Sequence, residues 1–160
     1  MRPLIRLGAF VLLSFAVAST VVYAHGFTVG SLKIIHPWSR ATPNGAEVAG
    51  GYLAIENTGQ EADRLVDVVV EGVSRAEIHE MTTIDGVMKM RPLPNGLEIP
   101  PGKMVELKPG GFHIMLMGLK VPVTEGSKLA GKLRFEKAGS VDVMFNVEAA
   151  GAVHDHSTSN

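Results

Sequence analysis

Eight methionines and six histidines stand in a chain of 160 residues that has no cysteine. Six of the methionines (Met81, Met88, Met90, Met104, Met115 and Met117) fall between positions 81 and 117; His113 lies inside that stretch and His79 just before it. Thioether sulfur is a soft ligand that selects Cu(I), and imidazole binds the same ion readily. The missing thiol excludes a disulfide framework, a cysteine zinc site, an iron–sulfur cluster, a thiol nucleophile and a blue-copper electron-transfer centre. In an oxidising compartment thioethers have a further merit. Two methionines cannot close a disulfide and lose their metal, although each can be oxidised slowly to the sulfoxide.

Short alternating or apolar runs must carry these residues. They read as strands over 28–35, 48–56, 64–70, 75–81, 87–91, 104–107, 113–119, 128–135 and 141–147, with Gly, Pro, Asn and Asp breakers between most of them. No window beyond Ala24 shows a convincing helical period, so the expected class is all-β, an antiparallel sandwich or barrel. The period of two places His79 and Met81 on one face, Met88 and Met90 on one face, and His113, Met115 and Met117 on one face. Ile78, Ile114 and Leu116 point the other way. Asp85-Gly86 predicts a two-residue type I′ hairpin. Ile84 then pairs with Val87, Thr83 with Met88 and Met81 with Met90, and His79 lies diagonally from Met90. A third strand bearing His113 and Met115 would complete a mixed imidazole and thioether cluster. No carboxylate is expected to converge on it, since Glu80 points away from His79.

The competing reading is that methionine simply fills a core. Packing is the reading taken for Met104 and Met144, each alone on its strand, and packing or a supporting role for Met88 and Met117. His79, Met90, His113 and Met115 form the candidate metal set, with Met81, Met88 and Met117 as secondary candidates. Other motifs are weaker. His79-Glu80 begins like a zincin helix, but position 83 is Thr and the segment reads as strand. Ser39, Ser74 and Ser127 lack the context of a nucleophile elbow. Gly50-Gly51 and Gly110-Gly111 read as bulges or turns.

The two ends differ from the middle. Arg2 and Arg6 precede an apolar run, and Val22-Tyr23-Ala24 offers small residues at −3 and −1, so residues 1–24 read as an export signal cut after Ala24. An uncleaved membrane anchor is the alternative. Cleavage would leave the chain from His25 to Asn160. Losing Arg2 and Arg6 from the 15 basic side chains, against 16 acidic ones, makes the mature chain more acidic still. That balance lacks the basic excess of a nucleic-acid binder. Residues 25–148 read as one domain, and residues 149–160 as a disordered tail containing His154 and His156. His25, as a new N-terminus, would offer an amine and an imidazole together. With His154 and His156 it forms the expectation of a second, weaker, nitrogen-rich site for Cu(II).

These residues resemble the PCuAC family of periplasmic copper chaperones. That family's pattern is a His or Met, ten residues, a Met, about twenty-one residues, then His-x-Met. Here His79 is followed by ten residues and Met90; the gap from Met90 to His113-Ile114-Met115 is then one longer than the pattern. The segments His36-Pro37-Trp38-Ser39-Arg40-Ala41-Thr42-Pro43, Gly50-Gly51-Tyr52, Met90-Arg91-Pro92 and Lys108 to Leu119 are similar to the family as well. The resemblance implies a cupredoxin-like antiparallel β-barrel or sandwich of Greek-key type, and an exposed Cu(I) site. It also implies a non-enzymatic role in the periplasm, delivering copper toward the CuA centre of cytochrome c oxidase. The partners would be the copper-accepting oxidase subunit and a thiol-oxidoreductase copper chaperone. Membrane contact is expected only through the signal or a peripheral client. A copper-sequestering protein and a metal-free interaction module are the alternatives.

Overall fold

In the strands Lys128–Phe135 and Gly139–Glu148 the apolar side chains Leu133, Phe135, Val143, Phe145 and Val147 are buried, while Lys132, Arg134 and Asp142 between them face solvent. That period of two buries one face of each strand, and it recurs along most of the chain. The computed structural model describes residues 26–154. The strands are β1 (Phe27–Val29), β2 (Leu32–Arg40), β3 (Val48–Asn57), β4 (Asp63–Val70), β5 (Arg75–Ile84), β6 (Val87–Pro92), β7 (Leu97–Ile99), β8 (Met104–Leu107), β9 (Phe112–Met117), β10 (Lys128–Phe135) and β11 (Gly139–Glu148). No helix occurs among the described residues. The expected export signal, His25 and His156 lie outside them.

All eleven strands join one curled sheet in the order β6-β5-β9-β8-β3-β2-β11-β10-β4-β7, with β1 added to β2 and β9 also bonded to β3. The sheet is not closed: β6 and β7 are its edges. Two pairings, β11 with β2 and β8 with β9, are parallel, so the sheet is mixed where the sequence suggests a purely antiparallel one. Leu32, Ile34, Leu53, Ile55, Ile114 and Phe145 are among the fully buried side chains of its interior. Each contributes about 1.5–3 kcal/mol by leaving water.

The 28–35 run is two strands, because Gly30 takes a left-handed conformation (φ 55°) and turns the chain. β2 then runs on to Arg40 through a bulge between Ile35 and Trp38. At that bulge His36 is left-handed, with φ 46°. Such a conformation costs a non-glycine residue about 1–3 kcal/mol, and its surroundings must hold it there.

Candidate metal centre

The site is built from three adjacent strands. Asp85 and Gly86 both have positive φ, 52° and 76°, as a type I′ turn requires. The turn fixes the β5–β6 register: Ile84 pairs with Val87, Thr83 with Met88 and Met81 with Met90. On the other side of β5, His79 pairs with His113 and Glu77 with Met115 on β9. Paired residues share a face, so Glu77, His79, Met81, Met90, His113 and Met115 lie on one surface, and Ile78 and Ile114 anchor its reverse in the core. The two imidazole rings have centroids 5.8 Å apart, tilted by 53°. Met90, two positions along β6 from the partner of His79, and Met115, two positions along β9 from His113, both stand diagonal to His79. His113 is buried and the His79 side chain is 12% exposed, whereas Met90 is 44% exposed.

Hydrogen bonds leave each ring one nitrogen for a ligand. His113 Nδ1–H donates to the Gly111 carbonyl at 3.0 Å, which leaves Nε2 as the lone-pair nitrogen. His79 Nε2–H donates to Glu77 Oε2 at 2.9 Å, which leaves Nδ1. His79 Nδ1 is buried and has no hydrogen-bond partner. A buried polar atom without a partner is costly, and a metal ion would satisfy it. The hydrogen bond from His79 is the main cause that holds the Glu77 carboxyl below the usual carboxylate range; partial burial opposes it, and Arg75, at 3.0 Å, adds to it. A carboxylate–imidazole pair of this kind fixes the tautomer and raises the basicity of the ligating nitrogen.

Glu77 is the residue that sequence reasoning missed. A carboxylate does reach the cluster, but through His79, where it orients the ring. The period of two from His79 would have found it. Among the secondary candidates, Met81 is the direct partner of Met90 on the same face. Met88 pairs with Thr83 near the hairpin tip and is 66% exposed. Met117, two residues beyond Met115 on β9, pairs with Arg75, and its sulfur accepts a hydrogen bond from Arg75 at 3.7 Å. Met104 and Met144, read as packing residues, are each 38% exposed.

Gly50 sits within β3 as the direct partner of Met115, and so is neither bulge nor turn. A Cβ there would lie 2.3 Å from the Tyr52 hydroxyl. The absent side chain therefore makes room for the Tyr52 phenol. The tail expected to be disordered from Ala149 is described as far as His154. Up to there it is held by polar and aromatic contacts, which no apolar pattern announces. Arg40 Nε and Nη2 donate to the Ala152 carbonyl at 2.9 and 2.7 Å, and the His154 ring meets Trp38 edge-on.

Two imidazoles and the thioethers of Met81, Met90 and Met115 on one face form a soft donor set, partly open to solvent, which the Glu77 carboxylate meets through the His79 ring. Among known families, the profile of the LpqE-like family, described as "Putative lipoprotein LpqE-like", matches residues 32–147. The chain belongs to the LpqE-like family. It is 32% identical over 123 residues to "Putative lipoprotein Lxx21020" of Leifsonia xyli subsp. xyli, a match covering 77% of this chain and 73% of that protein. Its fold is that of the cupredoxin-like PCuAC domains. The apo PCuAC domain from PmoF1 superposes on this LpqE-like chain with a TM-score of 0.67 and 34% identity, over 78% of this chain and 99% of that domain. The copper-bound PCuAC domain from PmoF2 gives 0.66 and 31%, over 78% and 98%. DR1885 from Deinococcus radiodurans in its CuI form shares the fold at 24% identity, with a TM-score of 0.58 over 82% of this chain and 85% of that one.

Proposed function

We propose that this chain is an exported Cu(I) carrier that binds the ion through His79, Met90, His113 and Met115 and delivers it toward the CuA centre of cytochrome c oxidase. The observation that carries the reading is the buried, unpartnered Nδ1 of His79, flanked by His113 and by two methionines on the same face. The copper-bound PCuAC domain from PmoF2 supports a copper cargo for this fold. Thioethers and neutral imidazoles leave the site soft, so it favours Cu(I) over hard cations. Met90 lies half open on an edge strand, where an acceptor's donors can reach the ion and take it over. The copper is cargo, and no catalytic step is assigned to the chain.

Export fits the signal-like segment that ends at Ala24 and the lipoprotein relatives. These 160 residues contain no cysteine, so a cysteine-linked lipid has no attachment point in them. The periplasm is the compartment this reading assigns. The deciding experiment is a Cu(I) titration against a competing chelator, with wild type and a Met90→Leu/Met115→Leu double variant, followed by incubation of the loaded wild type with a purified CuA domain. One Cu(I) per chain, weakened in the double variant and passed to the CuA domain, is the expected result. A double variant that holds copper as tightly as wild type would remove the site. Tight binding without transfer would instead mark a copper store.

A further inference from the structure

We propose that His36, Glu148 and His154 form a second cation site, separate from the methionine face and suited to Cu(II). One ligand atom from each of these residues lies within 4.8 Å of the others. His36 Nε2 points at Glu148 Oε1 at 2.8 Å, and His154 Nε2 points at the other oxygen of the same carboxylate. Two imidazoles thus aim their Nε2 atoms at one carboxylate from different sides. Donors around one ion at about 2.0–2.2 Å stand closer together than 4.8 Å, so small side-chain rotations suffice to admit the cation among them. All three side chains are half-buried, with the relative exposures 27%, 24% and 38% in chain order.

A second observation points the same way. His36 holds its ring at this position from a left-handed backbone, at the β2 bulge and directly before Pro37, where the preceding residue ordinarily stays extended. Structures retain such conformations at functional sites more than elsewhere. The rest of the surroundings fix the remaining donors. Arg40 clamps the Ala152 carbonyl two residues before His154, and Ala41 N–H bonds the Glu148 carbonyl at 2.8 Å. The rings of His36 and His154 meet edge-on at 4.7 Å, and both lie beside Trp38.

The donor chemistry separates this site from the methionine face. Two imidazoles and one carboxylate, with positions left for water, favour a borderline divalent ion, and Cu(II) heads the affinity order for nitrogen and oxygen sites. No sulfur takes part. The tail histidine that sequence reading paired with His25 and His156 here has His36 and Glu148 as its partners. The site does not depend on the proposed Cu(I) function.

Trp38 is the one tryptophan of the chain and reports on the site directly. The full chain should be titrated with Cu(II) alone, following Trp38 fluorescence and the electron paramagnetic resonance of the bound ion. His36→Asn removes the imidazole, yet asparagine tolerates the left-handed backbone; ending the chain at Val153 removes His154 and leaves the bulge untouched. Each change should raise the Cu(II) concentration for half-quenching at least tenfold and reduce the nitrogen hyperfine pattern by one imidazole, with a thermal melt like that of wild type. Met90→Leu/Met115→Leu should leave the titration unchanged. Wild-type quenching in either His36→Asn or the shortened chain would overturn the site, as would loss of the Cu(II) signal only in His79→Ala or His113→Ala. In a second arm, Zn(II) bound first should be displaced by equimolar Cu(II). Retention of Zn(II) would overturn Cu(II) as the ligand.

Discussion

Glu77 stands two residues before His79 on the same strand and accepts a hydrogen bond from its Nε2–H at 2.9 Å, so the carboxylate touches the candidate site only through the ring it turns. In the neutral ring this pairing makes Nδ1 the lone-pair nitrogen, turned toward the candidate site. It also adds a negative charge beside a ligand set that is otherwise neutral. A Cu(I) ion would gain from that charge without a hard oxygen in its coordination sphere.

Glu77→Gln should therefore weaken Cu(I) binding by about 10–100-fold, the usual effect of losing a partner that orients a ligand, and leave the melting temperature almost unchanged. A chelator competition reads the first and circular dichroism the second. Because the Glu77 carboxyl is held below the usual carboxylate range, it stays an acceptor in mild acid. Mild acid should therefore leave the His79–Glu77 pairing in place, and the thioethers, which do not titrate, will retain part of the affinity.

Met90→Leu and Met115→Leu should separate binding from folding. The volumes are similar, so each change should cost less than about 1.5 kcal/mol of stability. Each removes one thioether, and Cu(I) affinity measured against a chelator should fall in both. Met104→Leu, on β8, should leave it unchanged.

Gly50→Ala tests the close approach of Tyr52. The added methyl carbon meets the phenol at 2.3 Å, and the buried ring, tilted against Trp38 with centroids 4.6 Å apart, must shift. Overpacking of this kind costs about 1–3 kcal/mol, to be read by urea denaturation. Burial pushes the Tyr52 phenol above its ordinary range, and Arg40 draws it partly back. Ultraviolet titration of wild type should show one tyrosine ionising late, and Gly50→Ala should bring it closer to the ordinary range.

Asp63 gives a pH dependence of stability. Burial alone would raise its carboxyl, but the backbone N–H groups of Lys137, Arg64 and Ala138 bond it at 3.0, 2.7 and 2.9 Å, with the Lys137 charge adding to them, and together they hold it below the usual range. A carboxyl depressed in the folded state stabilises above its unfolded pKa of about 3.9 and loses that contribution as pH falls through the folded value. Asp63→Asn should cost about 1–3 kcal/mol at neutral pH and flatten the acid side of the stability curve below about pH 4, as followed by denaturant melts across pH.

Export has a direct check as well. Intact mass of the secreted protein should show a chain beginning at His25. A product that retains the segment up to Ala24 would point to an anchor instead.

The local parts of the fold were legible. Asp85-Gly86 announces both the turn and the register that puts Met81 opposite Met90, because type I′ geometry needs two residues with positive φ. β7 escaped notice: Leu97–Ile99 is three residues between Asn95-Gly96 and Pro100-Pro101, too short to show alternation, and it becomes a strand only by pairing with Asp63, Arg64 and Leu65. Glu77 was within reach of the same two-residue period that sorted the histidines. His36 and Glu148 were not. They stand 112 residues apart, and the parallel pairing of β2 with β11 that brings them together leaves no local pattern in either segment.

β6 has a neighbour on one side only, and every residue in it is exposed. β5 and β9 are each bonded on both sides. An edge strand of this kind opens at a lower free energy than the strands behind it, so three of the four proposed donors belong to the inner sheet and the fourth to a segment that can fray by itself. Unzipping the hairpin from its open side would detach Met90 while His79, His113 and Met115 stay in register. The grip on an ion held by these four residues would therefore be divisible: it could be loosened by one donor at a time, without any movement of the strands behind.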